Sequence, residues 1–321
     1  MRMLFWNVAN LFEPAIVDRG PQSQEELDGK LGAVSGVLLG AFGEHLPDLI
    51  ALAEVQTEAL FEQIRAALPE TYHMRFEPAY GPGQTGLGIL ARDSVFHQID
   101  VVDTFRPTMM QRPRAMLVDC QLGTSARFLF AVNHWKSRMI HAGDAFTPNE
   151  DRGESAEWLG ERLAGLEKRD CAVVVGDFNA EPFEPPFGEF GLRSRRHFSG
   201  ALWTQATPAY LYNTAWRSLL EPVTWEDRSA RGNDYRDSRP KTSHDAPSPV
   251  IFDQLLVSAA ALRNGPITLR EQSVRYFWTD EIAEWTGGGY LKPKRWRWNA
   301  DERRGTGASD HFALLGEFDV S

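Results

Sequence analysis

Cysteine is scarce in this chain: Cys120 and Cys171 are the only two among 321 residues. Both lie beside apolar, strand-like runs. Two distant cysteines make no disulfide framework, so a reducing compartment is predicted. Long apolar runs are missing as well. The opening run, Met3-Leu4-Phe5-Trp6, stops at Asn7, too short for the apolar core of a signal peptide, and no later stretch approaches a membrane span. These absences predict a cytoplasmic protein with no membrane partner. Positive charge is in the minority: 34 Lys and Arg against 44 Asp and Glu leave a net charge of −10. That argues against coating nucleic acid by bulk electrostatics and leaves room for a locally basic groove. No repeat of fixed period stands out, and nothing in the sequence sets an oligomeric state.

What is present is a globular composition, 42% apolar and 24% charged. A first strand covers 1–8 and ends at Asn7. Over 25–42, Leu27, Leu31, Val34, Leu38 and Leu39 recur at helical spacing. A buried strand follows at 49–53 with Glu54 at its exit. The next helix starts at Thr57, a candidate N-cap, and runs through Leu60, Ile64 and Leu68. Short strands are predicted at 72–76, 86–91, 96–102, 115–121 and 127–133, the last ending at His134. An amphipathic helix over 154–168 puts Trp158, Leu159, Leu163 and Leu166 on one side. The 181–249 stretch has little periodicity, and its 228–249 part is polar enough to be read as a mobile loop. Strands return at 250–258, around Asp253, at 268–274, and at 312–318 after a loop rich in Gly, Trp and Arg. Helices alternate with strands early, whereas none separates the strands between 72 and 133. This mixture predicts the α+β class: two mixed sheets packed face to face with helices outside, in one domain over 1–321.

The chain is organised around Val173-Val174-Val175-Gly176-Asp177-Phe178-Asn179. Three β-branched residues make a strand buried on both faces, and it delivers Asp177 and Asn179 side by side, since residues two apart on an extended chain point the same way. Other predicted strands also end in polar groups, Asn7, Glu54 and His134, and Asp310 with His311 immediately precedes the final strand. Side chains at strand exits converge on one edge of a sheet even when far apart in sequence. Each has a plainer reading: Asn7 and Asn179 as turn residues, Asp253 as a strand-edge charge, His134 as a core histidine.

These pieces resemble the endonuclease/exonuclease/phosphatase superfamily, the DNase I-like fold. The matching segments are Phe5-Trp6-Asn7-Val8-Ala9-Asn10-Leu11-Phe12, Ala53-Glu54-Val55-Gln56, Asn133-His134-Trp135-Lys136-Ser137-Arg138, Gly176-Asp177-Phe178-Asn179, Phe252-Asp253-Gln254-Leu255-Leu256-Val257 and Ser309-Asp310-His311-Phe312. They occur in the family's order. The resemblance implies a four-layer α/β sandwich and metal-assisted attack of water on a phosphoester, with Mg²⁺ or Mn²⁺ as cofactor. It implies Glu54 as principal metal ligand, with Asn7 nearby and Asp310 contributing. It makes Asp177 the group that positions or deprotonates water, with Asn179 orienting the water or a phosphate oxygen. His311, held and charged by Asp253, would stabilise the transition state, and His134 would contact the phosphate or protonate the leaving oxygen. The secreted DNases pair this last His with a Glu from an earlier strand; no Glu occurs between Glu77 and Gln121 to do so.

Substrate choice in this fold belongs to the loops. The 290–304 segment holds six basic and two acidic residues, with Trp296 and Trp298 among them. Aromatics interleaved with Arg295 and Arg297 are what unpaired bases and phosphates need, which makes nucleic acid the expected partner. The alternative is a surface loop whose tryptophans pack on the domain edge. Lys136 and Arg138 either reach a phosphate or are solvated charges. The clusters Arg193-Ser194-Arg195-Arg196-His197 and Arg106, Arg112, Arg114 are further candidates for the groove. The leading expectation is a nuclease. A soluble phosphatase or phosphodiesterase of a small molecule (inositol phosphate, nucleotide or lipid headgroup) is the alternative, and an inactive binding protein of the same fold comes third.

Overall fold

A computed structural model of the chain describes residues 1–81, 83–107, 112–123, 126–138, 148–164, 170–188, 193–195, 210–220, 250–263, 265–285 and 291–321. The 228–249 loop, Leu166, Arg196, His197 and Tyr290 lie outside these residues.

In chain order the strands are β1 (Arg2–Leu11), β2 (Leu49–Val55), β3 (Tyr72–Glu77), β4 (Gly86–Arg92), β5 (Phe96–Phe105), β6 (Ala115–Leu122), β7 (Ala126–His134), β8 (Ala172–Asp177), β9 (Arg193–Arg195), β10 (Tyr210–Asn213), β11 (Asp253–Val257), β12 (Ile267–Phe277), β13 (Ala283–Trp285), β14 (Leu291–Pro293), β15 (Arg297–Asn299), β16 (Arg304–Thr306) and β17 (Ala313–Val320). The helices are α1 (Gln24–Gly40), α2 (Glu58–Ala66), α3 (Pro148–Leu163), α4 (Ala215–Leu220) and α5 (Ala260–Arg263). One sheet has the order β12-β17-β1-β2-β4-β3, and the other β5-β6-β7-β8-β11-β10-β9. Both are mixed: β1 runs parallel to β2, and β7 parallel to β8, with antiparallel neighbours on either side.

Alternation along the strands builds the layers. Met3 and Phe5 of β1 face inward with Leu49 and Ala51 of β2, and meet Met116, Val118, Phe130, Val173 and Val175 from the second sheet. Leu4, Trp6 and Val8 face outward against Leu27, Val34 and Leu38 of α1 and Leu60 and Ile64 of α2. On the opposite side, Leu117, Ala131 and Val174 pack on Trp158, Leu159 and Leu163 of α3. Each Val, Leu, Ile, Phe or Met side chain among these, fully buried, contributes roughly 1.5–3 kcal/mol from the transfer of apolar surface. The expected α+β sandwich is the observed one, with sheets inside and helices outside.

Several boundaries differ for identifiable reasons. β1 does not stop at Asn7 but continues through a bulge to Leu11, with Ala9 and Asn10 at φ 52° and 54°. In α1 the buried stripe is Leu27, Lys30, Val34, Val37 and Leu38, whereas Leu39 is 38% exposed. Helix α3 begins at Pro148, before its apolar periodicity, with Glu150 and Asp151 in the first turn where the helix dipole favours acid. Asp253 opens β11 rather than lying inside it. Thr57 does cap α2, accepting from the Leu60 amide at 3.1 Å. The 283–306 region, read from sequence as loop, folds into two small hairpins, β13-β14 and β15-β16.

Candidate active site

The register brings the site together. On the second sheet, His134 of β7 stands beside Asp177 of β8, and Asp177 stands opposite Asp253 of β11, so three polar residues occupy one row. Gly176 permits the approach: a Cβ there would lie 2.5 Å from both Cβ and the carbonyl oxygen of Asn133. On the first sheet, Asn7 is aligned with Ala53, which places Glu54 one step beyond. The Ser309 hydroxyl donates to the Asn7 carbonyl at 2.6 Å, and Trp6 Nε1 donates to the His311 carbonyl at 2.9 Å. These bonds seat the 309–311 segment beside β1.

Asn7 links the two sheets. Its Nδ2 donates to Glu54 Oε1 at 3.2 Å and to Asp177 Oδ2 at 3.1 Å, while its Oδ1 accepts from the Ala9 amide at 3.0 Å. His134 Nε2 lies 3.4 Å from Glu54 Oε1 and 3.9 Å from Asp177 Oδ2. His311 Nδ1 faces Asp253 Oδ2 at 2.8 Å, and its Nε2 lies 3.7 Å from Asp177 Oδ2. Tyr276 donates its hydroxyl to the Asp253 carbonyl at 2.7 Å. Asn179 donates its side-chain amide to the Trp135 carbonyl at 3.1 Å and its backbone N–H to Asp177 Oδ1 at 3.0 Å. Glu54 and Asn179, like Ala9 and Asn10, hold left-handed backbone, at φ 66° and 49°. Strain of that kind persists only where surroundings enforce it, and it gathers at functional sites.

The electrostatics separate the two carboxylates at the centre. Burial works to raise Glu54, but His134, the Asn10 amide, His311 and Asn7 outweigh it and bring the carboxyl down to about 2. Asp177 is raised instead, by burial and by Asp253, against the pull of His311. Burial brings His134 down to about 4, so it is neutral at pH 7. Burial opposes charge on His311 too, yet Asp253, Asp177 and Asp310 raise it well above the ordinary histidine range. One carboxylate held ionised, another primed to take a proton, and a charged imidazole beside it are the parts of acid–base chemistry on a charged substrate.

A model of the Endonuclease/Exonuclease/phosphatase family matches residues 4–311. The chain belongs to the endonuclease/exonuclease/phosphatase family. Members of this family are hydrolases acting on phosphoesters. No curated protein matches the sequence. Among solved structures, mannosyl-6-phosphatase of Bacteroides thetaiotaomicron aligns with TM-score 0.56 and 16% identity over 99% of each chain. Humanized D. rerio TDP2 carrying 14 mutations aligns with TM-score 0.55 and 14% identity, over 100% of this chain and 99% of that one. D. rerio TDP2 complexed with a single-stranded DNA product gives TM-score 0.54 and 16% identity over the same shares. At such identities these likenesses concern the fold.

The donor chemistry suits a hard divalent ion, since the carboxylates supply oxygen. Glu54 and Asp310 keep 21% and 19% of their side chains exposed, whereas Asp177 and Asp253 are buried. Ligand atoms of Asp177, Asp253 and His311 also lie within 4.8 Å of one another. The direct bond between Asp253 and His311 Nδ1 marks those two as a charge pair. Asn7 turns Nδ2 toward both Glu54 and Asp177 and so donates to each carboxylate.

The outer residues divide. Arg295 lies 3.6 Å from Asp310 Oδ2, and Arg297 is exposed. Trp296 and Trp298 turn toward the protein: a Cβ on Gly29 would meet Trp298 Cζ3 at 3.0 Å and Trp296 Cη2 at 3.1 Å. Arg138 donates to the Asn179 carbonyl at 3.2 Å and pairs with Glu184, and Lys136 is buried. Arg112 stands near enough to feel Glu54, while Arg106 pairs with Glu77 and Arg114 donates to the His134 carbonyl at 3.4 Å. Asn213 caps the start of α4 by accepting from the Ala215 amide at 3.0 Å. Sequence reading passed over Lys30, which is buried in α1 and whose ammonium donates to the Ala9 carbonyl. Burial brings Lys30 down to about 8, against the pull of Asp310 and Glu54. A lysine at helical spacing within the apolar stripe was the available signal. Among the described residues no helix is long and apolar enough to cross a membrane.

Proposed function

We propose that this protein is a divalent-metal-dependent phosphodiesterase and that its substrate is nucleic acid. The observation carrying the reading is the bridge at Asn7, which joins a carboxylate held at about 2, Glu54, to one raised above its ordinary value, Asp177. Glu54 and Asp310 would hold Mg²⁺ or Mn²⁺, which when bound supplies neutralisation of phosphate charge. Asp177 accepts the proton of the attacking water, and Asn7 and the Asn179 amide keep its carboxylate aimed. His311, charged through Asp253, donates a hydrogen bond to the phosphoryl oxygens as negative charge builds on them. His134, neutral at pH 7, hydrogen-bonds the phosphate.

Support for a polymer substrate comes from the basic 291–306 segment, which reaches the site through Arg295 beside Asp310 and offers Arg297 to solvent. The neighbour crystallised with a single-stranded DNA product is consistent with it. One observation favours the second reading, a phosphatase or phosphodiesterase of a small molecule. Trp296 and Trp298 pack on Gly29 and are only partly exposed, which leaves less of each ring to stack on bases. A screen of purified protein with Mg²⁺ and Mn²⁺ against single- and double-stranded DNA, RNA and inositol phosphates separates the two. Turnover of polynucleotides with steep salt dependence supports the nuclease reading, and turnover of the small phosphoesters alone refutes it.

A further inference from the structure

The ammonium of Lys30 ends at the carbonyl of Ala9, and the same peptide unit carries the amide of Asn10. That amide donates to Glu54 Oε2 at 2.8 Å. A single peptide group therefore stands between a buried ammonium and the carboxylate at the centre of the site. Both residues it joins hold left-handed backbone, at φ 52° and 54°, which asparagine tolerates but alanine rarely adopts without support. A bond accepted at the carbonyl polarises the amide and strengthens the bond that its N–H donates. An apolar side chain of similar length would fill this position on α1 without the cost of burying a charge. The lysine has a polar task instead, donating to the Ala9 carbonyl.

We propose that Lys30 is a positioning residue which, through the Ala9–Asn10 peptide, holds the Glu54 carboxylate in its working orientation. This rests on the reading of Glu54 as part of the reacting centre. Lys30 touches no substrate; its effect passes through the peptide.

The test uses the full-length, metal-free protein and Lys30→Met. In the wild type, amide exchange at Asn10 is slowed at least tenfold relative to an unstructured peptide. In Lys30→Met, with circular dichroism unchanged, that exchange accelerates at least tenfold and the Asn10 amide proton moves upfield. With Mn²⁺ and a chromogenic phosphodiester, kcat falls at least tenfold while KM stays within about threefold; Lys30→Arg recovers part of the loss. Wild-type kcat in Lys30→Met, or an Asn10 amide equally protected in both proteins, overturns the proposal. Should Lys30→Met not fold, the wild type decides. Scalar coupling between the Lys30 ammonium and the Ala9 carbonyl carbon supports the relay, and an Asn10 amide exchanging as in an unstructured peptide overturns it. A wild-type protein that hydrolyses no phosphoester at all refutes the proposed function instead, and leaves the amide result to be judged on its own.

Discussion

Asp177 and Asp253 stand directly opposite each other on antiparallel strands β8 and β11, two buried carboxylates in one row of the sheet. Like charges so placed, out of water, are costly. His311 relieves the conflict, with Nδ1 2.8 Å from Asp253 Oδ2 and Nε2 3.7 Å from Asp177 Oδ2. Asp253 keeps the imidazole charged, and Asp177 is the carboxyl that rises. The division of labour proposed above, Asp177 as base and His311 as electrostatic stabiliser, rests on that geometry.

Asp177→Asn removes the proposed proton acceptor at nearly constant shape. Metal-dependent phosphodiester hydrolysis is expected to fall about 10²–10⁴-fold, the usual range for a general base, with far-UV circular dichroism unchanged. Steady-state kinetics on a chromogenic diester checks this, and undiminished turnover would remove Asp177 from the mechanism.

The pH profile has a signed expectation. Asp177 must be ionised to act, so the acid limb lies above the ordinary Asp value, and His311 must be charged, so the alkaline limb lies above the ordinary His value. Asp253→Asn withdraws the group that raises His311, and the alkaline limb moves to lower pH. A profile of kcat that keeps its alkaline limb in Asp253→Asn contradicts the pairing.

Acid stability reports on His134, whose imidazole drops from 6.5 to about 4 in the folded protein. Between those values the unfolded chain binds the extra proton, so stability falls as pH drops through 6.5 and the loss is complete below about 4. The size is about 3 kcal/mol for a shift of this order. Urea titrations in EDTA at pH 7 and pH 4.5 are expected to show this loss, and His134→Asn to show much less of it. An equal loss in both proteins would exclude His134 as its source.

The hairpin at 297–306 docks on α1 through Trp298 and through Trp296 just before it. A Cβ on Gly305 would lie 1.7 Å from Trp296 Cη2, so Gly305→Ala displaces the ring. A cost of about 1–3 kcal/mol is expected from such overpacking. Gly32→Ala on α1 is the control: nothing lies within 4 Å of its new Cβ, and a gain of up to about 1 kcal/mol follows from helix propensity. Thermal melts of the two variants are expected to shift in opposite directions.

Removing charge at Arg295 and Arg297 separates polymer from small substrate. The double alanine variant is expected to lose at least tenfold in kcat/KM on single-stranded DNA or RNA, with a shallower salt slope. On a chromogenic diester the loss stays within about threefold. Equal losses on both would sink the nuclease assignment without touching the fold.

Much of this was legible in the sequence, because strand-end chemistry is local. Asp177-Phe178-Asn179 after three valines, and Glu54 after Leu49-Ile50-Ala51-Leu52-Ala53, declare both strand and exit. The sheet orders were not legible, since pairing of β11 with β8 joins residues far apart in the chain. Short hairpins such as β13-β14 were missed because three-residue strands carry no readable period. Trp296 and Trp298 looked like a stacking surface, yet their packing partner, Gly29, has no side chain to announce it. Lys30 was passed over because charge on a helix is ordinarily solvated, and only its place in the apolar stripe marks it.

The most direct measurement is hydrolysis of a chromogenic phosphodiester by the purified protein with Mg²⁺ or Mn²⁺, alongside Asp177→Asn and His311→Ala at matched folding. Metal-dependent turnover that EDTA stops, and that both variants lose, is the predicted result. Turnover that persists in either variant, or its absence from the wild type with every metal and phosphoester tried, contradicts it.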